Sequence, residues 1–180
     1  TLSATIYYDG KEVGKASATV KSETTSLIAS LSEKHLWKVG EGNLYDVVFT
    51  ITDGEKVLDK VDAYFGLRTV AMNKEGFFIN GEYVFGRFVL DQGFYPDGIY
   101  TAPTEEALVR DIQISLDAGF NGARLHEKVF EERFLYHCDR EGYIVWGEYP
   151  NWGLNHSRPE SIYGILPEWI EEVKRDFNHP

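Results

Sequence analysis

The side chains able to do chemistry in this sequence gather where short apolar segments give out. Asp91-Gln92 follows Phe88-Val89-Leu90. Arg124 and His126 lie at the end of Gly122-Ala123-Arg124-Leu125-His126. Glu148 follows Ile144-Val145-Trp146-Gly147, and Trp152 comes after Pro150-Asn151. Asp91 and Gln92 are suited to paired hydrogen bonds with vicinal hydroxyls, and an aspartate at such a point is equally a loop cap. An arginine inside an apolar strand needs a partner, and its guanidinium would hold a carboxylate ionised and oriented. Glu148 is either that partner or a ligand-binding group. His126, beside Glu127, is a contact residue or a satisfied surface histidine. Trp152 offers a ring face for stacking or plain packing. His126, Glu127, Asp91 and Glu148 could converge on an ion, but no ligand spacing such as H-E-x-x-H appears, so no metal site and no cofactor is expected. Trp146, within its strand, is expected in the core, and Cys138 as a packed thiol.

The elements that would position these groups begin with a hairpin. In Phe77-Phe78-Ile79-Asn80-Gly81-Glu82-Tyr83-Val84-Phe85, the Asn-Gly pair supplies two positive-φ residues between apolar runs. Three β-type segments follow, at residues 87–91, 122–125 and 143–146, separated by two helical patterns. Strand–helix–strand–helix–strand implies a parallel sheet, whose ligands gather at the strand ends. Thr104 should cap the first helix, with Glu105 and Glu106 in its first turn, Leu108, Ile112 and Leu116 on one face and Gly119 past its end. The second puts Phe130, Phe134, Leu135 and Cys138 on one face and stops at Gly142. A third carries Leu166, Trp169, Ile170, Val173 and Phe177, with a Glu171–Arg175 pair. The irregular stretch 93–103 is rich in aromatics and should be ordered rather than a floppy linker.

Residues 1–68 read differently, as period-2 patterns with turn signals at Asp9-Gly10 and Asp53-Gly54. Strands are expected at 4–8, 15–21, 26–31, 44–51 and 57–65, a thin β-sandwich whose first strands would lie upstream. The domain boundary falls near residue 69, giving 1–68 and 69–180. The 180 residues include 11 Tyr, 11 Phe and 4 Trp, enough rings to build cores and still line a site. A net charge of −11 without a Lys/Arg run argues against nucleic acid and anionic membrane surfaces as partners. The single cysteine excludes an internal disulfide and a cysteine zinc site. No apolar run approaches the roughly 20 residues of a membrane span. Thr1-Leu2-Ser3-Ala4-Thr5-Ile6 reads as a strand already under way rather than a leader.

Together these segments resemble glycoside hydrolase family 2, which includes β-galactosidases, β-glucuronidases and β-mannosidases. Phe65-Gly66-Leu67-Arg68 and Phe78-Ile79-Asn80-Gly81 resemble the junction where an immunoglobulin-like domain ends and a (β/α)8 TIM barrel opens. Asp111-Ile112, Gly119-Phe120-Asn121-Gly122-Ala123-Arg124, Cys138-Asp139-Arg140-Glu141-Gly142, Ile144-Val145-Trp146-Gly147-Glu148 and Phe177-Asn178-His179-Pro180 continue the match in order. Leu36-Trp37 and Asn43-Leu44-Tyr45 are similar to a further family segment, with Gly42 where proline is usual. The resemblance implies an immunoglobulin-like sandwich followed by the first three βα units of the barrel. It also implies a retaining β-glycosidase with a carbohydrate substrate, whose two catalytic carboxylates would both lie beyond Pro180. Asp91, Gln92, Arg124, His126, Glu148 and Trp152 would then belong to the substrate-binding half of the site, and the isolated chain would be inactive. Gln92 stands where better-known members have histidine, and Leu125-His126-Glu127-Lys128 where they show S-H-Y-P, which argues against galactose, glucuronate or mannose specificity. The alternatives are a non-catalytic carbohydrate-binding or scaffolding protein on the same fold, and a metal-assisted hydrolase. A part-barrel would leave an open sheet edge, so self-association is expected.

Overall fold

The computed structural model describes residues 1–155 and 157–180. It divides the chain into two compact units, Thr1–Trp37 with Asn43–Arg68, and Lys38–Gly42 with Thr69–Pro180. No helix among the described residues is long and apolar enough to cross a membrane.

The first unit is β throughout. Strands β1 (Leu2–Tyr8), β2 (Lys11–Ala18), β3 (Leu44–Asp53) and β4 (Lys56–Gly66) form one antiparallel sheet in the order β2-β1-β3-β4. Asp9 and Gly10, at φ 49° and 75°, make the tight turn between β1 and β2. Ala4, Ile6, Val13, Tyr45 and Val47 form the core. Tyr45 is fully buried; its hydroxyl accepts from His35 N at 2.6 Å and donates to Glu33 O at 3.2 Å.

The strand expected at residues 26–31 does not form. The segment is extended and packs Leu27, Ala29 and Leu31 against that core, so the alternation is real, but it joins no ladder. It crosses Gly14 so closely that a Cβ there would lie 3.0 Å from both Leu31 Cδ2 and Ser30 O. Among the described residues this unit is therefore a single sheet with irregular chain laid over it, rather than two packed sheets.

The second unit opens with an antiparallel sheet of β5 (Val70–Asn73), β6 (Gly76–Ile79) and β7 (Glu82–Val84), in that order. Asn80 and Gly81, at φ 53° and 80°, form the turn expected between β6 and β7. Strand β5 is a finding: no strand is expected there from the sequence, and all four of its residues are exposed. Pairing with β6, from Val70–Ile79 to Asn73–Gly76, makes it a strand.

Three parallel strands follow, β8 (Phe88–Asp91), β9 (Gly122–Leu125) and β10 (Ile144–Trp146), with β9 central. Helix α1 (Glu105–Asp117) crosses from β8 to β9, and α2 (Glu132–Glu141) from β9 to β10. Thr104 caps α1 by accepting from Ala107 N at 3.3 Å. Gly119 and Gly142 follow the two helices at φ 90° and 67°, a region where a Cβ is unfavourable. Ala123 and Leu125 of the sheet pack with Leu108, Ile112, Phe130, Phe134, Leu135 and Cys138 in one buried cluster, joined by Val89 and Val145. At the opposite ends of the strands Asn121 is a staple. It accepts from Arg87 N at 2.8 Å, donates through its amide to Phe85 O at 2.9 Å, and donates its backbone N–H to Arg87 O at 2.9 Å.

Among the described residues the other sheet face is uncovered. Leu90, Arg124 and Trp146 are neighbours in register, and Trp146 is 59% exposed. Its expected core position is thus corrected: Trp146 shares Arg124's face rather than the helix-packed one, and meets Phe88 edge-on at 6.5 Å. Past β10 come α3 (Glu160–Tyr163) and α4 (Leu166–Asp176). The apolar stripe of α4 stays largely bare, with Ile170, Val173 and Phe177 exposed. The expected Glu171–Arg175 pair is replaced. Lys174 takes Glu171 at 2.6 Å, and Arg175 pairs with Glu172 and with Glu132 of α2. Finally, Lys38–Gly42 seats against the end of α2, where Gly40 N donates to Gly142 O at 2.9 Å. A Cβ on Gly142 would lie 2.5 Å from Gly40 N, and one on Gly42 would lie 2.0 Å from Arg140 O.

Candidate functional site

The parallel register brings most of the sequence-identified residues to one place, the C-terminal ends of β8, β9 and β10. Arg124 points from the uncovered face of β9, 44% exposed, and its Nε pairs with Glu148, just past β10. The other carboxylate oxygen of Glu148 accepts from Glu127 N at 3.3 Å. Both oxygens of Glu148 are therefore engaged, one by a cation and one by backbone.

Gln92 lies 3.0 Å from His126, amide nitrogen to ring Nδ1. The backbone sets this pair, because His126 N donates to Asp91 O at 2.8 Å as a last rung after β9. Trp152 meets the His126 ring edge-to-face at 5.3 Å and 83°, and is 76% exposed, so much of its surface is free for a ligand. Arg124 with Glu148, Gln92 with His126, and His126 with Trp152 thus form successive pairs.

Asp91 does not join them. It follows the parity of Val89, on the side toward the helices, and its Oδ1 accepts from Gly93 N at 2.7 Å. Burial pushes its carboxyl above the usual range; the Gly93 N–H opposes the shift and the charge of Asp111 adds to it. The geometry is that of the loop cap.

Glu127 has a structural role that residue type alone does not reveal. It sits at φ 56°, an uncommon conformation for a residue with a side chain. Its Oε2 accepts from Asn151 N at 2.7 Å and Trp152 N at 3.0 Å, so it holds the loop that carries Trp152. The Asn151 N–H first, then the Trp152 N–H and the charges of His126 and Arg124, lower its pKa against a smaller opposing effect of burial. The only cue in the sequence was its place beside His126; the contacts depend on a loop more than 20 residues away. His126, Glu127 and Glu148 each place one ligand atom within 4.8 Å of the others'. They could ligate a cation, in competition with Arg124 and the backbone N–H groups already on the two carboxylates.

Chemically, this is a site that can bind. It presents a guanidinium paired with a carboxylate, a second carboxylate held by backbone N–H groups, an imidazole, a primary amide and an indole face, a set suited to a polyhydroxylated ring.

Residues 1–68 match the family described as glycosyl hydrolases family 2. A protein of Formosa agariphila provisionally named a β-glucuronidase is 32% identical over 183 residues, covering 96% of this chain and 17% of its own length. A β-galactosidase of Yersinia pestis is 28% identical over 168 residues, 88% of this chain and 16% of that protein. Among solved structures, the β-glucuronidase of Ruminococcus gnavus with D-glucuronic acid superposes with a TM-score of 0.81 at 23% identity, over 99% of this chain and 30% of that one. The β-glucuronidase of Parabacteroides merdae gives 0.81 at 22%, over 99% and 23%. The chain thus spans about a sixth of the curated relatives it matches and under a third of the structures. By the family match, residues 1–68 are those of glycosyl hydrolases family 2.

Proposed function

We propose that this chain supplies the substrate-binding half of a retaining β-glycosidase. The observation that carries the reading is the meeting of Gln92, Arg124, His126, Glu148 and Trp152 at the C-terminal ends of three parallel strands. That is where α/β barrels keep their active sites. The uncovered face with Leu90, Arg124 and Trp146 supports reading the three strands as the start of such a barrel, since parallel sheets are normally buried on both faces. By its all-β strands and its place before the barrel, the first unit is read as the family's immunoglobulin-like domain.

Glu127 and Glu148 lie close enough to suggest the carboxylate pair of a retaining enzyme, which stands about 5 Å apart. Their surroundings argue otherwise. Such a pair needs one carboxyl held protonated as acid, whereas Glu127 is lowered by two backbone N–H groups and Glu148 is ion-paired. We therefore assign both to support, and place the acid/base and the nucleophile elsewhere in the parent protein. Arg124 and Glu148 would fix the charge around the reacting sugar, Gln92 and His126 would bind hydroxyls, and Trp152 would stack on the ring.

The test is hydrolysis by the full-length parent of a panel of aryl β-glycosides, beside its Arg124→Lys variant. Lysine keeps the charge and loses the fork geometry, so kcat/KM should fall on the order of 100-fold. Undiminished hydrolysis in the variant would remove Arg124 from the site. Sugar binding without any hydrolysis would favour a carbohydrate-binding protein on the same fold.

A further inference from the structure

The indole of Trp152 has little packing of its own to hold it. It is 76% exposed, and its ring contact is the edge of His126. What fixes it is the backbone beneath it. Leu154 N donates to Asn151 O at 3.2 Å, and Gly153 stands at φ 89°. This is the pattern of a type II turn, with Trp152 second and the obligatory glycine third. The turn leaves the N–H groups of Asn151 and Trp152 side by side, and successive N–H groups of this kind make a small concavity for an anion. The anion is the carboxylate of Glu127, whose Oε2 accepts from Asn151 N at 2.7 Å and from Trp152 N at 3.0 Å. Earlier in the same loop, Tyr149 is tied to α4. Its hydroxyl donates to Glu168 at 2.9 Å and its ring stacks on Trp169 at 6.2 Å. Among the described contacts, Glu127 is what ties the turn itself to the end of β9.

The backbone of Glu127 carries a second contact. Its N–H donates to Glu148 Oε2 at 3.3 Å, and the other oxygen of Glu148 pairs with Arg124. One residue therefore links the charged pair, through its main chain, to the indole, through its side chain. The conformation that allows this, φ 56°, is one that glycine or asparagine adopts more readily than glutamate. The strain is offset by two hydrogen bonds to an ionised acceptor, which are stronger than those to a neutral one.

We propose that Glu127 is the positioning residue for Trp152: seated on the two N–H groups of the 151–154 turn, its carboxylate holds the indole where it can bind the sugar. Glu127 acts through Trp152 and touches no substrate itself, so the ring contributes to binding only while the carboxylate occupies the turn. This rests on the glycosidase reading for the identity of the ligand. Its physical content is a coupling between two residues 25 apart in sequence.

The experiment is a double-mutant cycle in the full-length protein, with p-nitrophenyl β-D-glucoside, -galactoside and -glucuronide as probes. KM and kcat are measured by hydrolysis. Kd for the corresponding methyl glycosides is read from the fluorine spectrum of protein labelled with 5-fluorotryptophan, the signal of residue 152 being assigned by Trp152→Phe. Glu127→Ala should raise KM and Kd about 3- to 10-fold, leave kcat within about twofold, and move the residue 152 signal in ligand-free protein. Trp152→Ala should match it in KM, and the double variant should be no worse than Trp152→Ala alone. Glu127→Gln, whose amide oxygen can accept from the same two N–H groups, should return KM to within about twofold of wild type. Glu127→Gly, at ease at φ 56° and keeping the N–H to Glu148, repeats the cycle if the alanine variant does not fold. An unchanged KM in Glu127→Ala, even with the signal moved, or additive losses in the double variant, overturns the positioning role and leaves the glycosidase reading standing where the wild type hydrolyses. The same coupled pattern in Kd, with no probe hydrolysed, keeps the positioning role and removes that reading. No binding of any glycoside removes both.

Discussion

At the scale of single residues, what separates the site groups is the parity of the strand. Arg124 and Trp146 point to the uncovered face, while Asp91, next in line after Leu90, points the other way and caps a loop. The sequence shows which residues end the strands, and it shows alternation, but it does not say which parity faces a ligand when both sides are apolar. That ambiguity is why Trp146 reads as core and Asp91 as a ligand group. Asn121 is the residue whose loss should cost most for its size. It is 8% exposed, and its side chain satisfies the Arg87 N–H and the Phe85 carbonyl. Asn121→Ala would leave those groups without partners where β8 and β9 begin and should cost about 2–3 kcal/mol, read as a lower urea midpoint at unchanged slope. A midpoint shift within error would mean that water replaces the side chain at no cost.

At the scale of elements, helices and tight turns were legible because their signals are local. Thr104, Gly119, Gly142 and the Asn80-Gly81 turn act through the backbone of their immediate neighbours. Strands were harder, because a strand exists only by virtue of its partner. Residues 26–31 alternate without a ladder, and β5 has a ladder without alternation. Helix α4 shows the same dependence. Its polar ties to α2 are Arg175 with Glu132, and His179, just past its end, whose Nδ1 and Nε2 lie 2.6 Å from Asp139 and 3.0 Å from Glu132. The Asp139 hydrogen bond first, then the carboxylates' charges, raise the His179 pKa against the opposing effect of burial. Because the folded value lies above the unfolded one, near 6.5, this tie is at full strength below about pH 6.5 and is lost as pH rises through the raised value. Amide exchange in residues 166–177 should therefore quicken on going from pH 6 to pH 9, after correction for intrinsic rates, and His179→Gln should flatten that dependence. An unchanged profile in the variant would rule out His179 as the source.

At the scale of the whole molecule, the chain carries more uncovered apolar surface than its charge would lead one to expect. Leu90 and Trp146 on the sheet, and Ile170, Val173 and Phe177 on α4, are exposed, while the net charge is −11. Apolar surface favours association and like charge opposes it, so the chain should self-associate more as salt screens the repulsion. Sedimentation of a strict monomer at high concentration and high salt would overturn this. That Lys38–Gly42 belongs to the second unit had no cue in the sequence, since the segment carries no signal that it seats against α2. It makes a prediction about dissection. Residues 69–180 expressed alone lack the segment that covers Gly142, whose N–H bonds to Cys138 O, so the buried Cys138 thiol should react faster with a thiol reagent than in the intact chain. Equal rates would show that α2 closes without its distant partner. The same feature separates the order of synthesis from the order of assembly. On the ribosome, Lys38–Gly42 emerges long before the helix end it covers, and must wait, unpaired, until α2 exists. The second unit can therefore be completed only by reaching back for a piece of chain made earlier, and a chain that folds from its N-terminus must keep that piece free of other partners in the meantime.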